Sequence, residues 1–138
     1  MAVCCFVAGC GTAPRDRVPY KVRNDGIVEP LTATPGDAAR GREIVRGREG
    51  NCVLCHAIPE ADRSRANFAP PLSGIGGRLT AAQLRLRIVD PARVNRNAAM
   101  PPFYRVHDLD QVALPFRGQT ILTAQQIEDV VAYLLTLN

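Results

Sequence analysis

The sequence predicts an all-α domain of about three to four short helices, joined by long irregular connections and preceded by an extended arm. Three observations carry that expectation. No segment shows the strict apolar–polar alternation of a half-buried strand. Three segments place apolar residues at helical spacing behind a recognisable N-cap. The stretches between them are rich in Pro and Gly and longer than ordinary connections, which in a chain of 138 residues calls for something large to wrap around.

Residues 1–10, MAVCCFVAGC, read as part of an export leader. They are apolar and end in small residues, as a secretory signal does, but they are few and lack a basic start. VAGC at residues 7–10 also resembles the lipobox of bacterial lipoproteins, with Cys10 as the lipidated residue. The other reading is an ordinary small-residue cleavage region. Both export the chain, so the expected location is the periplasm, with or without a lipid anchor at Cys10. Cys4 and Cys5 would leave with the leader.

Residues 11–36 form the arm. Pro14, Pro19, Pro30 and Pro35 with Gly26 and Gly36 forbid a long helix. The domain proper covers residues 37–138. Its first helix starts behind Asp37 as N-cap and runs through AARGREIVRG. Ile44 and Val45 are its few apolar members, so it needs tertiary support. Residues 57–79 read as loop. A second helix starts at Thr80, with Gln83 as partner in a capping box. Leu84, Ile88 and Val89 form its buried stripe, and Pro91 ends it. Residues 90–120 return to loop. Thr123 and Gln126 box the last helix, where Ile127, Val130, Val131, Leu134 and Leu135 give the apolar stripe.

Aromatic residues make up 5% of the chain and Trp is absent, a thin supply of core volume that a prosthetic group would supplement. No run of apolar residues is long enough for a transmembrane helix. The net charge of +4 is uneven: residues 40–105 hold twelve Arg against five acids, and residues 106–138 one Arg against four acids. A solvated surface in an Arg-rich chain is one reading, and a basic face that steers toward an acidic partner or substrate is the other. The Arg are dispersed and no DNA- or RNA-binding motif accompanies them, so no nucleic-acid partner is expected.

The chemistry lies in NCVLCH, residues 51–56. A structural zinc site needs four ligands, and beyond Cys52, Cys55 and His56 only His107 remains. A thioredoxin-like dithiol would follow a strand in a βαβ setting, and the surroundings are helix and loop. The third reading is covalent haem attachment, whose signature is Cys-x-x-Cys-His. Two thiols one turn apart match the fixed separation of the two haem vinyl groups, and the next residue then faces the iron. The expected cofactor is one haem c, with His56 as an axial ligand. For the sixth position the candidates are Met100, on a loop stiffened by Pro101 and Pro102, and His107. Met100 is preferred, because thioether ligation opposite His raises the potential and suits an electron acceptor.

These features resemble a class I cytochrome c. APPLSGIGGR, residues 69–78, is similar to the Gly-Pro-x-Leu-x-Gly-x-x-Gly-Arg stretch of that class, with Ala69 in place of Gly. The resemblance implies that the Pro70 carbonyl accepts the His56 Nδ1 hydrogen, that Leu72 packs on the haem, and that Arg78 pairs with a propionate, unless Arg78 is one more surface Arg. It also implies that Gly41 lets the first helix approach the last near Tyr133, with Val45 where an aromatic is usual.

A narrower resemblance covers the arm, GNCVLCH and NAAMPPFYRV. They are similar to the SoxX family, the small monohaem subunits of SoxAX cytochromes. This implies a heterodimer with a SoxA-like cytochrome, a SoxYZ-like carrier whose cysteine receives thiosulfate, and a downstream cytochrome c acceptor. With Cys52 and Cys55 on haem and the other Cys in the leader, no thiol is left for sulfur transfer. No catalytic residue is therefore expected in this chain, and the bond-making site belongs to the partner. The rival readings are a free periplasmic electron shuttle and a haem-based sensor. The arm favours the partner reading, with Val18, Tyr20, Val22, Ile27, Val28 and Leu31 expected to supply buried area in the contact.

Overall fold

A computed structural model of the chain describes residues 17–59 and 66–138. Residues 1–10, read from the sequence as a leader with Cys4, Cys5 and Cys10, and the first residues of the arm lie outside the described residues. Four α-helices follow in order: α1 (Ala38–Arg46), α2 (Ile75–Arg78), α3 (Ala81–Val89) and α4 (Ala124–Leu135). Single 3-10 turns stand at Cys52–Leu54, Pro91–Arg93 and Leu114–Phe116. Among the described residues the only β feature is an isolated bridge between Arg23 and Gly26. The all-α expectation holds.

The caps sit where the sequence placed them. The Asp37 carboxylate accepts the Arg40 N–H at 2.9 Å. Thr80 and Thr123 each form a complete capping box, with Gln83 and Gln126. Each box satisfies two N–H groups that a helix start leaves orphaned. Helix α2 was not expected; two Gly in four residues give it little intrinsic propensity. It forms because the Gly76 N–H donates to the Leu137 carbonyl at 3.0 Å, which seats it on the end of α4.

The frame is the crossing of α1 over α4. At Gly41 any Cβ would collide with the Asp129 carbonyl and crowd the Tyr133 Cβ, so only Gly permits this approach. Val45 is fully buried beside it. A buried carboxylate, Asp129, locks the same crossing. Arg40 donates to both Asp129 carboxylate oxygens at 2.8 and 2.9 Å, and the Asp37 N–H adds a third bond at 2.8 Å. Burial pushes the Asp129 carboxyl up, but the bonds from Arg40, Asp37 and Gln125 outweigh it, and the net shift is downward. A carboxyl depressed in the fold stabilises above its unfolded pKa, and that contribution is lost as pH falls through the folded value. Asp129 should therefore contribute to acid unfolding only below the ordinary carboxylate range. Tm measured between about pH 2 and pH 5 should fall less steeply in Asp129→Asn than in the unaltered protein; equal slopes would assign the acid sensitivity to other groups.

The arm runs without helix along α3 and α4, as its prolines require, but its apolar residues do not await a partner as a set. Ile27 is 0% and Leu31 3% exposed in the chain's own core, and Tyr20 and Val22 pack against that core. Only Val18 and Val28, at 39% and 58% exposure, face outward. The expectation that all six serve the contact is corrected accordingly. Arg85 of α3 and Glu128 of α4 form a bidentate pair at 2.7 and 2.8 Å, each almost fully buried. This pair also grips the arm: Arg85 donates to the Ile27 carbonyl at 2.6 Å, and Glu128 accepts the Leu31 N–H at 2.8 Å.

Candidate functional site

Asn51 enters the left-handed region at φ 50° and launches the 3-10 turn of Cys52–Leu54; Asn tolerates that conformation better than most residues. The Cys52 carbonyl accepts from the Cys55 N–H at 3.2 Å and the His56 N–H at 2.9 Å. Both cysteines and the histidine are thus carried on one tight turn. The cysteines are not bridged to each other. Burial pushes the Cys52 thiol up to about 11, so it is protonated at neutral pH, the opposite of the poised thiolate a redox dithiol needs.

The second wall is the segment at residues 69–78. Its Ala69 N–H donates to the Cys55 carbonyl, and its Leu72 N–H donates to the Ala57 carbonyl, both at 2.9 Å. The His56 Nδ1 lies 2.7 Å from the Pro70 carbonyl oxygen. A carbonyl only accepts, so Nδ1 carries the hydrogen and the lone pair stands on Nε2. The Ala69 and Leu72 N–H bonds, which hold Pro70 in place, were not legible in the sequence. Leu72 is buried. Arg78 is exposed and donates to the Ser73 and Pro71 carbonyls at 2.7 and 3.4 Å, so here it closes the loop that carries Pro70.

Met100 is half-buried and packs against the same core cluster as Cys52 and Val53. The chain just after it is fixed. The Phe103 N–H donates to the Ile88 carbonyl at 3.0 Å, and the Phe103 carbonyl accepts from Ile121 and Leu122 at 2.9 and 3.0 Å. Pro101 and Pro102 stiffen the short span between. His107, by contrast, is exposed and lines a different cleft, together with the start of the arm.

The residues present fit a covalently held, flat apolar group. Two unbridged thiols share a turn with an imidazole whose orientation is set. Beside them Leu54 and Phe68 are 68% and 73% exposed, apolar surface that a bound group would cover. Metal-ligand clusters of three or more His, Cys, Asp or Glu are absent among the described residues.

The family model for cytochrome c matches residues 38–138. A solved structure, SoxXA from P. pantotrophus, is similar over 86% of this chain and 93% of that chain, at 36% identity and a TM-score of 0.76. That share exceeds the 101 residues of the family match, so the similarity continues into the arm. Among curated proteins, none matches the chain.

Proposed function

Because the chain belongs to the cytochrome c family, we propose that it is the monohaem electron-transfer subunit of a SoxXA-type complex, with Cys52 and Cys55 as its points of haem attachment. The class I fold, the covalently bound haem c and the electron-transfer role follow from the family itself. The haem supplies a one-electron ferric/ferrous couple. Within this reading His56 would hold the haem iron through Nε2, with Pro70 fixing its ring and raising its basicity. Met100 would supply the second protein ligand to the iron, Leu72 would pack on the haem, and Arg78, which closes the loop that carries Pro70, would pair with a propionate.

The observation that carries the complex is the likeness to SoxXA, at 36% identity and reaching into the arm. The partner would be a SoxA-like cytochrome. Joining thiosulfate to a carrier thiol forms one S–S bond and releases a proton and two electrons. A single-haem chain accepts these one at a time and passes them to a downstream cytochrome c. The bond-making site, and the SoxYZ-like carrier that presents the thiol, lie outside this chain. Such a complex works in the periplasm, to which the leader reading of residues 1–10 would direct it, with Cys10 as a lipid anchor if the lipobox is used.

Removing the whole arm is a poor test, since it would strip Ile27 and Leu31 from the core. Val28→Asp changes an exposed arm residue instead. Co-expressed with a SoxA-like subunit, the unaltered chain should co-purify with it and support thiosulfate-dependent cytochrome reduction, and Val28→Asp should weaken the pairing. Failure of the unaltered chain on both measures replaces this reading with that of a free shuttle. Loss of pairing in neither form leaves the complex and removes the arm from the contact.

Met100→Ala should abolish the far-red charge-transfer band of the ferric protein and lower its reduction potential. Retention of the band, together with its loss in His107→Ala, would move the sixth ligand to His107.

A further inference from the structure

The arm also closes a cleft whose other walls come from the residues matched to the cytochrome c family. Its first described residues, Arg17–Tyr20, form one wall of a cleft of about 550 Å³. The turn after α3, with Asp90 and Arg93, and the loop after Met100, with Arg105, His107 and Asp108, form the others. None of Cys52, Cys55, His56 or Met100 lines it.

The charges in this cleft divide into structural and available ones. Asp90 is buried, and its carboxylate takes the Arg105 guanidinium at 2.9 Å. Through Nη1, Arg105 also donates to the carbonyls of His107 and Asp108, at 2.5 and 2.9 Å. That pair is wall, not ligand site. Arg93 is different: its side chain is 67% exposed and reaches Asp90 only at 3.8 Å. Arg17 is exposed and has no ion pair among the described residues. Among the described residues that line the cleft, one exposed carboxylate, Asp108, stands against these two guanidiniums, with the exposed His107 ring beside it.

The arm's wall is tied to the core at Tyr104. The Val18 N–H donates to the Tyr104 hydroxyl at 2.8 Å. The Tyr20 ring tilts against the fully buried Tyr104 at 6.2 Å between centroids. The volume is of the size that holds an extended ligand rather than a single tetrahedral ion. A wall anchored at Tyr104, with the exposed guanidiniums of Arg17 and Arg93 in the lining, suits a chain that bears carboxylates, and an anchored wall lowers the ordering cost of binding it.

We propose that this cleft is a docking slot for an acidic peptide segment of a partner protein, whose Asp or Glu side chains reach Arg17 and Arg93. This does not rest on the assignment to a SoxXA-type complex, because the test uses a peptide alone.

The probe is a fluorescein-labelled octapeptide of alternating Glu and Gly, read by anisotropy with the full holoprotein. It should bind, while its Gln counterpart should not. Arg17→Glu and Arg93→Glu should each weaken binding roughly fivefold, the scale expected of exposed ion pairs converted to repulsion. Arg48→Glu, which makes the same charge change on an exposed residue away from the cleft, should weaken it by less than twofold, on the order of the screened long-range effect. Both cleft variants should keep the haem spectrum and Tm of the unaltered protein. Equal weakening by all three variants would overturn the proposal in favour of attraction by net charge. Displacement of the peptide by sulfate at matching concentration would overturn it in favour of a small-anion site. Absence of binding overturns it outright.

Discussion

Changed together to alanine, Cys52 and Cys55 leave a chain whose haem is lost to acid-acetone, whereas the unaltered protein keeps its haem through the same extraction. Covalent attachment is what that solvent cannot reverse, so the expected difference is all or none. Either single variant should retain the haem through its remaining thioether bond. The double variant should also lose stability. Leu54 and Phe68, exposed beside the turn, would stay in water, at a cost of about 25 cal/mol per Å² of apolar surface left uncovered. The α1–α4 crossing does not involve the cysteines, so the variant should keep helical circular dichroism while its Tm falls. Haem extracted from the unaltered protein, or retained by the double variant, would end the covalent reading.

Glu128→Ala should cost about 3–5 kcal/mol, the usual result of leaving one member of a buried ion pair without the other. The residue left behind, Arg85, is 4% exposed, so little water can reach its guanidinium. The Leu31 N–H loses its acceptor at the same time, which loosens the arm. Against a total stability of roughly 5–15 kcal/mol this is a large fraction, and urea unfolding should show it directly. The pair need not be a net gain: Arg85→Met with Glu128→Leu should recover most of the loss, because the cost lies in the orphaned charge. A single-variant cost below about 1 kcal/mol would mean that Arg85 finds water or a new partner, contrary to its burial here.

What the sequence revealed and what it hid divide along range. Asp37, Thr80 and Thr123 were legible as caps because a cap and its partner lie three residues apart. Gly41 was legible only through resemblance. The turn of Cys52, Cys55 and His56 was legible as a unit because thiol spacing is a local requirement of the chemistry it suggests, and the Pro70 contact came with the family pattern. Helix α2 was hidden, since its cause is the Leu137 carbonyl rather than its own residues. Arg85, Glu128 and Asp129 were hidden for another reason. Charged residues are almost never fully buried unless paired, and these pairings span 43 and 89 positions. They also alter the reading of charge. Arg40, Arg85 and Arg105 belong to the basic stretch at residues 40–105, yet each is held by a buried carboxylate. The basic face is weaker than the count of Arg implies. The arm was read correctly as extended, but Ile27 and Leu31 were read as contact surface when the chain's own core buries them, because an apolar residue does not say which surface will cover it.

The grip of Arg85 and Glu128 on the arm has a consequence for the order in which the molecule assembles. The Leu31–Glu128 bond joins positions 97 apart, and the Asp37–Asp129 bond positions 92 apart. The His56–Pro70 bond spans only 14. Contacts between distant positions must close large loops before they are rewarded, and they slow folding. The turn of Cys52 and Cys55 and the segment that orients His56 are therefore a short-range structure set inside a long-range one. In a chain made from its N-terminus, everything needed to present Cys52, Cys55 and His56 exists before α4 arrives to shut the frame around them.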